Sequence, residues 1–395
     1  MNMPDAPLLT DQGAAALALA AEFEDPGSLA CAARLRRHFD PLLAAAASSQ
    51  VVLRRKATAK LGAAASDMYF TPDGLEQATR ATVADWRAQR FVANGVQRVI
   101  DLGCGIGADL RAFGSAGLTA IGVEIDPLTA AYAQANAPDA QVICGDAVAE
   151  LPALLADAAE STAIFIDPAR RGAHGRTWEV TNFVPAWDFV LGLFDLGHSV
   201  CVKLGPGLPR ELIPEGVEVT WVSERGDVVE ASLWQLPNSR ATESAVLLPG
   251  PQVLVSSHRV PAVGEPRRFI HEPDGAVIRS RAVGDVHLDA QLLAAGVAYL
   301  TTDEAIDSPF VSSFEVIGAM PFDESALRAW VKANDIGTLE IKKRAVDVDP
   351  AALRRRLKPK GKNSATLLIS PTRDGVKAFV VQRVAGVGSA LIRQN

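Results

Sequence analysis

Cysteine is scarce: Cys31, Cys104, Cys144 and Cys201 are the four in 395 residues, widely scattered and without metal-ligand pairing. Three fall on or beside expected strands as buried free thiols, which fits a reducing cytoplasm. The six histidines show no paired spacing either, so no metal site is expected. No apolar run approaches the length of a membrane span. The opening Met1-Asn2-Met3-Pro4-Asp5 lacks a basic and then apolar leader, so no secretory signal is expected. Net basic charge is missing too; the formal −7 argues against a chain coated throughout for nucleic acid. What remains is the composition of a soluble globular protein, 48% hydrophobic and 22% charged, long enough for two or three domains.

The most informative stretch present is Val99-Ile100-Asp101-Leu102-Gly103-Cys104-Gly105-Ile106-Gly107-Ala108. It reads as a buried parallel strand running into a glycine turn and then a helix. Glycine lets the backbone turn sharply and lets a ligand lie against it. A literal Gly-x-Gly-x-x-Ala reading proposes a dinucleotide. Asp101 argues otherwise, because a carboxylate at that strand end suits a cationic ligand better than a pyrophosphate.

Three more strands follow, each delivering an acid at its carboxyl end. Thr119–Val123 ends in Glu124, Gln141–Cys144 in Gly145-Asp146-Ala147, and Ala163–Ile166 in Asp167-Pro168-Ala169-Arg170-Arg171. Glu124 stands 21 residues beyond Gly103, the spacing at which an acid accepts hydrogen bonds from a ribose. In an open α/β sheet that edge is where ligands bind. The alternative for each acid is a helix N-cap.

This ordered set resembles the class I S-adenosylmethionine-dependent methyltransferases over roughly residues 95 to 240. The resemblance implies that Asp101, Gly103, Gly105 and Gly107 hold the methionine part of S-adenosyl-L-methionine and that Glu124 binds its ribose. It also implies that Asp146 takes the adenine amino group, with Ile125 and Ala147 packing on the base. Leu339–Arg344, Asp349-Pro350 and Leu353–Leu357 are similar to the THUMP-like domain that follows such a methyltransferase in one bacterial family. Gly74-Leu75-Glu76-Gln77-Ala78-Thr79 and Asp167–Arg171 extend the resemblance to the whole chain. The implied fold is an α/β Rossmann-like methyltransferase sheet with a helical N-terminal region and an α+β C-terminal THUMP-like domain. The corresponding boundaries are 1–92, 93–250 and 265–395.

Within these, alanine-rich helices are expected at Gly13–Phe23, Ser28–Phe39 and Pro41–Ser48, and Asp73 is expected to cap a helix running to about Val92. Tyr69, Phe70 and Thr71 either cover the cofactor or dock helices onto the sheet. Val217–Val222 and Val228–Trp234 read as a hairpin. Leu248–Pro251 and Pro261–Pro266 read as linker. Beyond them, helices at Ala290–Ala295, Glu324–Ala333 and Pro350–Leu357 alternate with five short strands.

Asp167-Pro168 occupies the slot that the Asp/Asn-Pro-Pro-aromatic motif fills in amino methyltransferases. The resemblance implies Asp167 and Pro168 as catalytic residues, accepting hydrogen bonds from an exocyclic NH2. Ala169 and Arg170 depart from that motif, so base stacking falls to another ring, Phe70 among them. Arg170 and Arg171 instead suit phosphate or stacking. The string also resembles that of RNA uracil-5 methyltransferases, but Leu204 stands at the position of their nucleophilic cysteine, and Cys201 lies three residues earlier. Lys203 either touches substrate or snorkels at a strand end, and His174 is the histidine nearest this edge. Between Lys342 and Lys362 nine basic residues, Arg354, Arg355 and Arg356 among them, face two acids, a formal +7 that leaves −14 for the rest. Such a stripe is either a phosphate-binding surface or a solvated face. The reading reached is an S-adenosylmethionine-dependent methyltransferase acting on a nitrogen of an RNA base, in tRNA or rRNA. A protein or small-molecule acceptor, or RNA binding without turnover, is the alternative.

Overall fold

Alanine favours helix at the start of the chain, and hydroxyl or carboxylate caps set where each helix begins. In the computed structural model, which describes residues 6–170 and 180–384, Thr10, Ser28 and Asp40 cap helices Asp11–Ala21, Leu29–Leu35 and Pro41–Leu61. Their apolar faces meet around Leu17, Leu35, Leu43 and Val51, together with Tyr132. The helix expected from Asp73 to Val92 is two helices instead. Thr71 caps the first, Pro72–Gln77, by accepting from the Gly74 N–H, and the second runs Ala81–Ala93.

The chain divides into two compact units, Met1–Glu218 with Ala231–Ala241, and Val219–Glu230 with Thr242–Asn395. The helical N-terminal region therefore shares a unit with the first sheet. The division also falls ahead of residue 250 and is interleaved.

In the first unit, strands β1 (Arg98–Leu102), β2 (Thr119–Glu124), β3 (Gln141–Cys144), β4 (Thr162–Ile166) and β7 (Ser199–Leu204) lie parallel in the order β3-β2-β1-β4-β7. Residues 231–235 of β9 (Asp227–Gln235) add antiparallel to β7. Between β4 and β7, the two-residue strands β5 (Ala169–Arg170) and β6 (Phe183–Val184) pair with each other. The apolar run Ala163–Ile166 of β4 and the buried Val99-Ile100 of β1 are what parallel strands covered on both faces need. Phe91, Phe113 and Phe165 pack edge to face at 5.5–5.7 Å between centroids, and Trp234 meets Phe91 at 5.6 Å. Because the chain leaves β1 in one direction for β2 and returns on its other side as β4, the carboxyl ends of β1 and β4 flank a topological switch point.

In the second unit β8 (Glu218–Glu224) pairs parallel with β10 (Glu243–Leu248), which pairs antiparallel with β11 (Gln252–Val255). Leu248–Pro251 is thus a turn with Gly250 at φ +73°, not a linker. The stretch Pro261–Pro266 is not one either, since Val263 bridges to Leu292 and Gly264 N–H donates to Leu292 O. A seven-stranded sheet follows in the order β13 (Gln291–Ala294), β14 (Val297–Thr302), β12 (Phe269–Pro273), β15 (Val311–Pro321), β18 (Gly375–Arg383), β17 (Asn363–Thr372) and β16 (Ile336–Lys343). Within the expected helix Ala290–Ala295, residues Gln291–Ala294 are strand; pairing with β14 overrides the helix preference of their alanines and leucines. Helices Glu324–Ala333 and Pro350–Leu357 pack on this sheet through Leu327, Val331, Leu353 and Leu357.

Candidate active site

At the carboxyl ends of β1, β2, β3 and β4 lies a cavity of about 350 Å³, in whose wall Asp101, Gly103, Gly105, Glu124, Ile125, Asp146, Ala147, Asp167 and Lys203 all stand. Asp101 is 1% exposed, and its Oδ2 has no hydrogen-bond partner among the described residues. Burial pushes its carboxyl well above the usual range, and the nearby Asp109 and Asp167 push it further. A cation brought to that oxygen would satisfy it. Gly103 and Gly105 take φ of +86° and +54° with open space where a Cβ would stand. Gly107 is different: it is absent from the cavity wall, and a Cβ there would sit 3.2 Å from the Ala133 backbone. Its glycine serves the close approach of two helices.

Glu124 accepts the Gly105 N–H on Oε2 at 3.0 Å and the Asp126 N–H on Oε1 at 2.9 Å. Each oxygen keeps a lone pair for further donors. The cap of the next helix is Asp126, so Glu124 is free of that duty. Asp146 does cap a helix, taking Val148 N and Ala149 N on Oδ1, and its Oδ2 carries no hydrogen bond among the described residues. Beside it Ile125 is 68% and Val148 45% exposed, apolar surface with no protein to cover it. One buried orphan acid, one acid with spare lone pairs and one apolar ledge fit the ammonium, ribose and base of S-adenosyl-L-methionine respectively.

Asp167 ends β4 with its side chain 40% exposed, ion-paired through Oδ2 to Lys203 Nζ from the end of β7. Lys203 is thus a partner of the acid rather than a snorkelling strand end. Pro168 is buried. Phe70, 2% exposed, belongs to a core with Leu61, Leu75 and Ile106, and Thr71 is the helix cap already noted. The segment that covers the cavity is instead Gly74, Gln77, Ala78 and Thr79. Arg170 contributes a backbone pairing with Phe183; Arg171 and His174 lie outside the described residues. Cys201 and Leu204 are both buried in β7, and neither stands in the cavity wall.

Behind the part of the cavity wall formed by Thr79 and Asp109 lies a polar network that the sequence did not announce. Arg87 is wholly buried, donates Nε to Asp109 Oδ1 at 3.0 Å and lies over the Phe165 ring at 4.7 Å. Thr79 Oγ1 donates to the other Asp109 oxygen. Lys60 donates to the Leu75 and Glu76 carbonyls; burial, with Lys203 and Arg80 nearby, lowers its pKa to about 8. Gly74–Thr79 was visible as part of the family resemblance, but a single arginine on a helix carries no signal of burial.

The +7 stripe is not one surface. Lys342 and Arg344 face Glu272 at 2.8 and 3.6 Å, and Arg356 holds Glu324 at 2.7 Å. Arg354 donates Nε to Leu339 O at 2.7 Å. Arg355, Lys358, Lys360 and Lys362 remain at the surface. Among the described residues no cluster of three or more His, Cys, Asp or Glu is placed to hold a metal ion, and no helix is long and apolar enough to cross a membrane.

Residues 100–165 match the family profile described as a methyltransferase domain, and residues 311–383 that of a THUMP domain-like family. A domain of unknown function (DUF8688) matches residues 6–57. The crystal structure of a proposed methyltransferase from Porphyromonas gingivalis W83 superimposes with a TM-score of 0.79 over 98% of this chain and 100% of its own, at 22% identity. That likeness establishes the fold. An uncharacterized S-adenosylmethionine-dependent methyltransferase of Mycobacterium tuberculosis, found in strains CDC 1551 / Oshkosh and ATCC 25618 / H37Rv, is 34% identical over 356 residues, 84% of this chain and 94% of its own length. With the cavity, the acids at its rim and this degree of identity together, the chain belongs to the S-adenosylmethionine-dependent methyltransferases.

Proposed function

We propose that this methyltransferase modifies a nitrogen of an RNA base, in tRNA or rRNA. The observation that carries the proposal is Asp167-Pro168 at the carboxyl end of β4, with the Asp167 carboxylate in the wall of the cofactor cavity. Bound there by Asp101, Gly103, Gly105, Glu124, Ile125, Asp146 and Ala147, S-adenosyl-L-methionine supplies a methyl group on a positively charged sulfur. Lys203 holds one oxygen of Asp167, which fixes the carboxylate plane and leaves the other oxygen to accept from an exocyclic NH2. Pro168, buried, fixes the chain beyond it. Aligning the nitrogen in this way supplies much of the rate, since positioning alone removes a large entropic barrier. Arg170 and Arg171 follow in sequence as phosphate partners. The THUMP-like match and the surface cations Arg355, Lys358, Lys360 and Lys362 support RNA as the partner. A cytoplasmic enzyme acting on RNA would keep its four free cysteines as thiols.

One observation favours a protein or small-molecule acceptor instead. Phe70 is committed to the core, so it is not available to stack on a flipped base.

The test is a nucleoside mass-spectrometric census of RNA from a strain lacking the gene, complemented with wild type or Asp167→Ala. Loss of one methylated nucleoside, restored by wild type alone, is expected. An unchanged census in every RNA class would move the acceptor to protein or metabolite.

A further inference from the structure

The second unit holds a cavity of about 470 Å³ that the methyl-transfer site does not use. Four cations converge on it, Arg225, Lys342, Arg344 and Arg383, against the carboxylates of Glu272 and Asp274. Both acids are already engaged. Glu272 is held by Lys342 at 2.8 Å and faces Arg344 at 3.6 Å. Asp274 accepts from Ser223 Oγ at 2.9 Å and from Ala276 N at 2.8 Å. The side chain of Arg225 has no polar partner among the described residues and is exposed. Arg383 makes one neutral bond, to Ser312 Oγ at 3.1 Å, and Arg344 Nε is buried without a partner. The cavity therefore carries uncompensated positive charge in guanidinium form, whose planar fork suits phosphate. Phe310, half-buried, stands in the same wall and offers an aromatic face.

We propose that this cavity binds one nucleotide of a single-stranded RNA segment, its phosphate on Arg225, Arg344 and Arg383 and its base against Phe310. The volume lies within the range of sites for ligands of that size. Base-on-aromatic stacking together with cationic contacts to the backbone is how single strands are held without duplex structure. A carboxylate from an acidic peptide would use the arginines but leave Phe310 without a planar partner. Arg225 and Phe310 lie outside residues 311–383, so the site is assembled from more than the THUMP-like segment. The proposal rests on RNA being the substrate of the methyl-transfer site.

Binding is measured by fluorescence anisotropy with the full chain and a fluorescein-labelled mixed-sequence RNA 12-mer. A glutamate 12-mer and the four nucleoside monophosphates serve as competitors. The Arg225→Asn, Arg383→Gln double variant removes two exposed side chains, and asparagine tolerates the positive φ at position 225. Its dissociation constant for RNA should rise about tenfold, and the salt slope should fall by about 0.7, the contribution of the one phosphate that is no longer neutralised. Phe310→Leu should weaken binding severalfold and leave the slope unchanged. Circular dichroism melting shows whether each variant is folded. RNA binding within twofold of wild type in both folded variants would overturn the site. So would competition by the glutamate peptide or a free mononucleotide at concentrations matching the 12-mer, since neither is an RNA strand. Because this assay needs no methyl transfer, loss of binding in the variants alongside an unchanged nucleoside census would support the site and remove the RNA-methylation reading alone.

Discussion

Arg87, wholly buried, and Asp109, largely buried in the cavity wall, form an ion pair, Nε to Oδ1 at 3.0 Å, between the helix Ala81–Ala93 and the helix that begins at the glycine turn. Removing one member of such a pair leaves a buried charge uncompensated, at a cost of about 3–5 kcal/mol. Arg87→Met should therefore lower the stability of the first unit by that order. Urea unfolding followed by tryptophan fluorescence measures it, with Trp86 and Trp234 packed nearby as reporters. A change under about 1 kcal/mol would mean that the pair is replaceable by apolar packing.

Glu124 accepts two backbone N–H groups at the cavity rim, which fixes its carboxylate in the cavity wall. Glu124→Ala should weaken cofactor binding by about 1–3 kcal/mol, the loss of charge-assisted hydrogen bonds. Isothermal titration calorimetry with S-adenosyl-L-methionine would show this as a drop of roughly 5- to 150-fold in affinity. Unchanged affinity would exclude Glu124 from the site.

Burial raises the Asp101 carboxyl well above the ordinary carboxylate range, and Asp109 and Asp167 raise it further. A raised folded pKa means that the folded protein binds more protons than the unfolded chain in that window, so stability falls as pH rises through it. A cofactor ammonium favours the charged form, so binding should release a proton and strengthen as pH rises. Calorimetry across a pH series, in two buffers of different ionisation enthalpy at each pH, should give different apparent enthalpies wherever binding releases that proton. The difference should vanish in Asp101→Asn.

His271 is buried in the second unit between Ser313 Oγ at 2.8 Å and Thr302 Oγ1 at 2.7 Å, and burial lowers its pKa to about 4. Its depressed value means that the unfolded chain takes up the proton first as pH falls. Stability present above pH 6.5 is thus lost progressively toward pH 4, by up to about 3 kcal/mol. His271→Gln should flatten thermal stability across that interval. A variant whose pH profile parallels wild type would assign the acid sensitivity elsewhere.

Much of the site was legible in the chain because a parallel strand that ends at a ligand edge must be apolar throughout and then polar at one residue. That rule located Asp101, Glu124, Asp146 and Asp167 by position alone, and all four line one cavity. It could not assign their separate tasks. Asp146 is a helix cap as well as a wall residue, whereas Glu124 leaves capping to Asp126. Phe70 illustrates the opposite limit, since an aromatic beside a site and an aromatic under it have the same local sequence.

Local sequence was enough to place β1 to β4, the glycine turn and the edge whose acids line the cavity. These depend on residues within a few positions of one another. Which charges stand alone was settled by packing in three dimensions. It paired Lys203 with Asp167, buried Arg87 against Asp109 and broke a run of basic residues into paired and free members. Charge compensation acts through space over a few ångströms, between residues that lie from 22 to 70 positions apart in the chain.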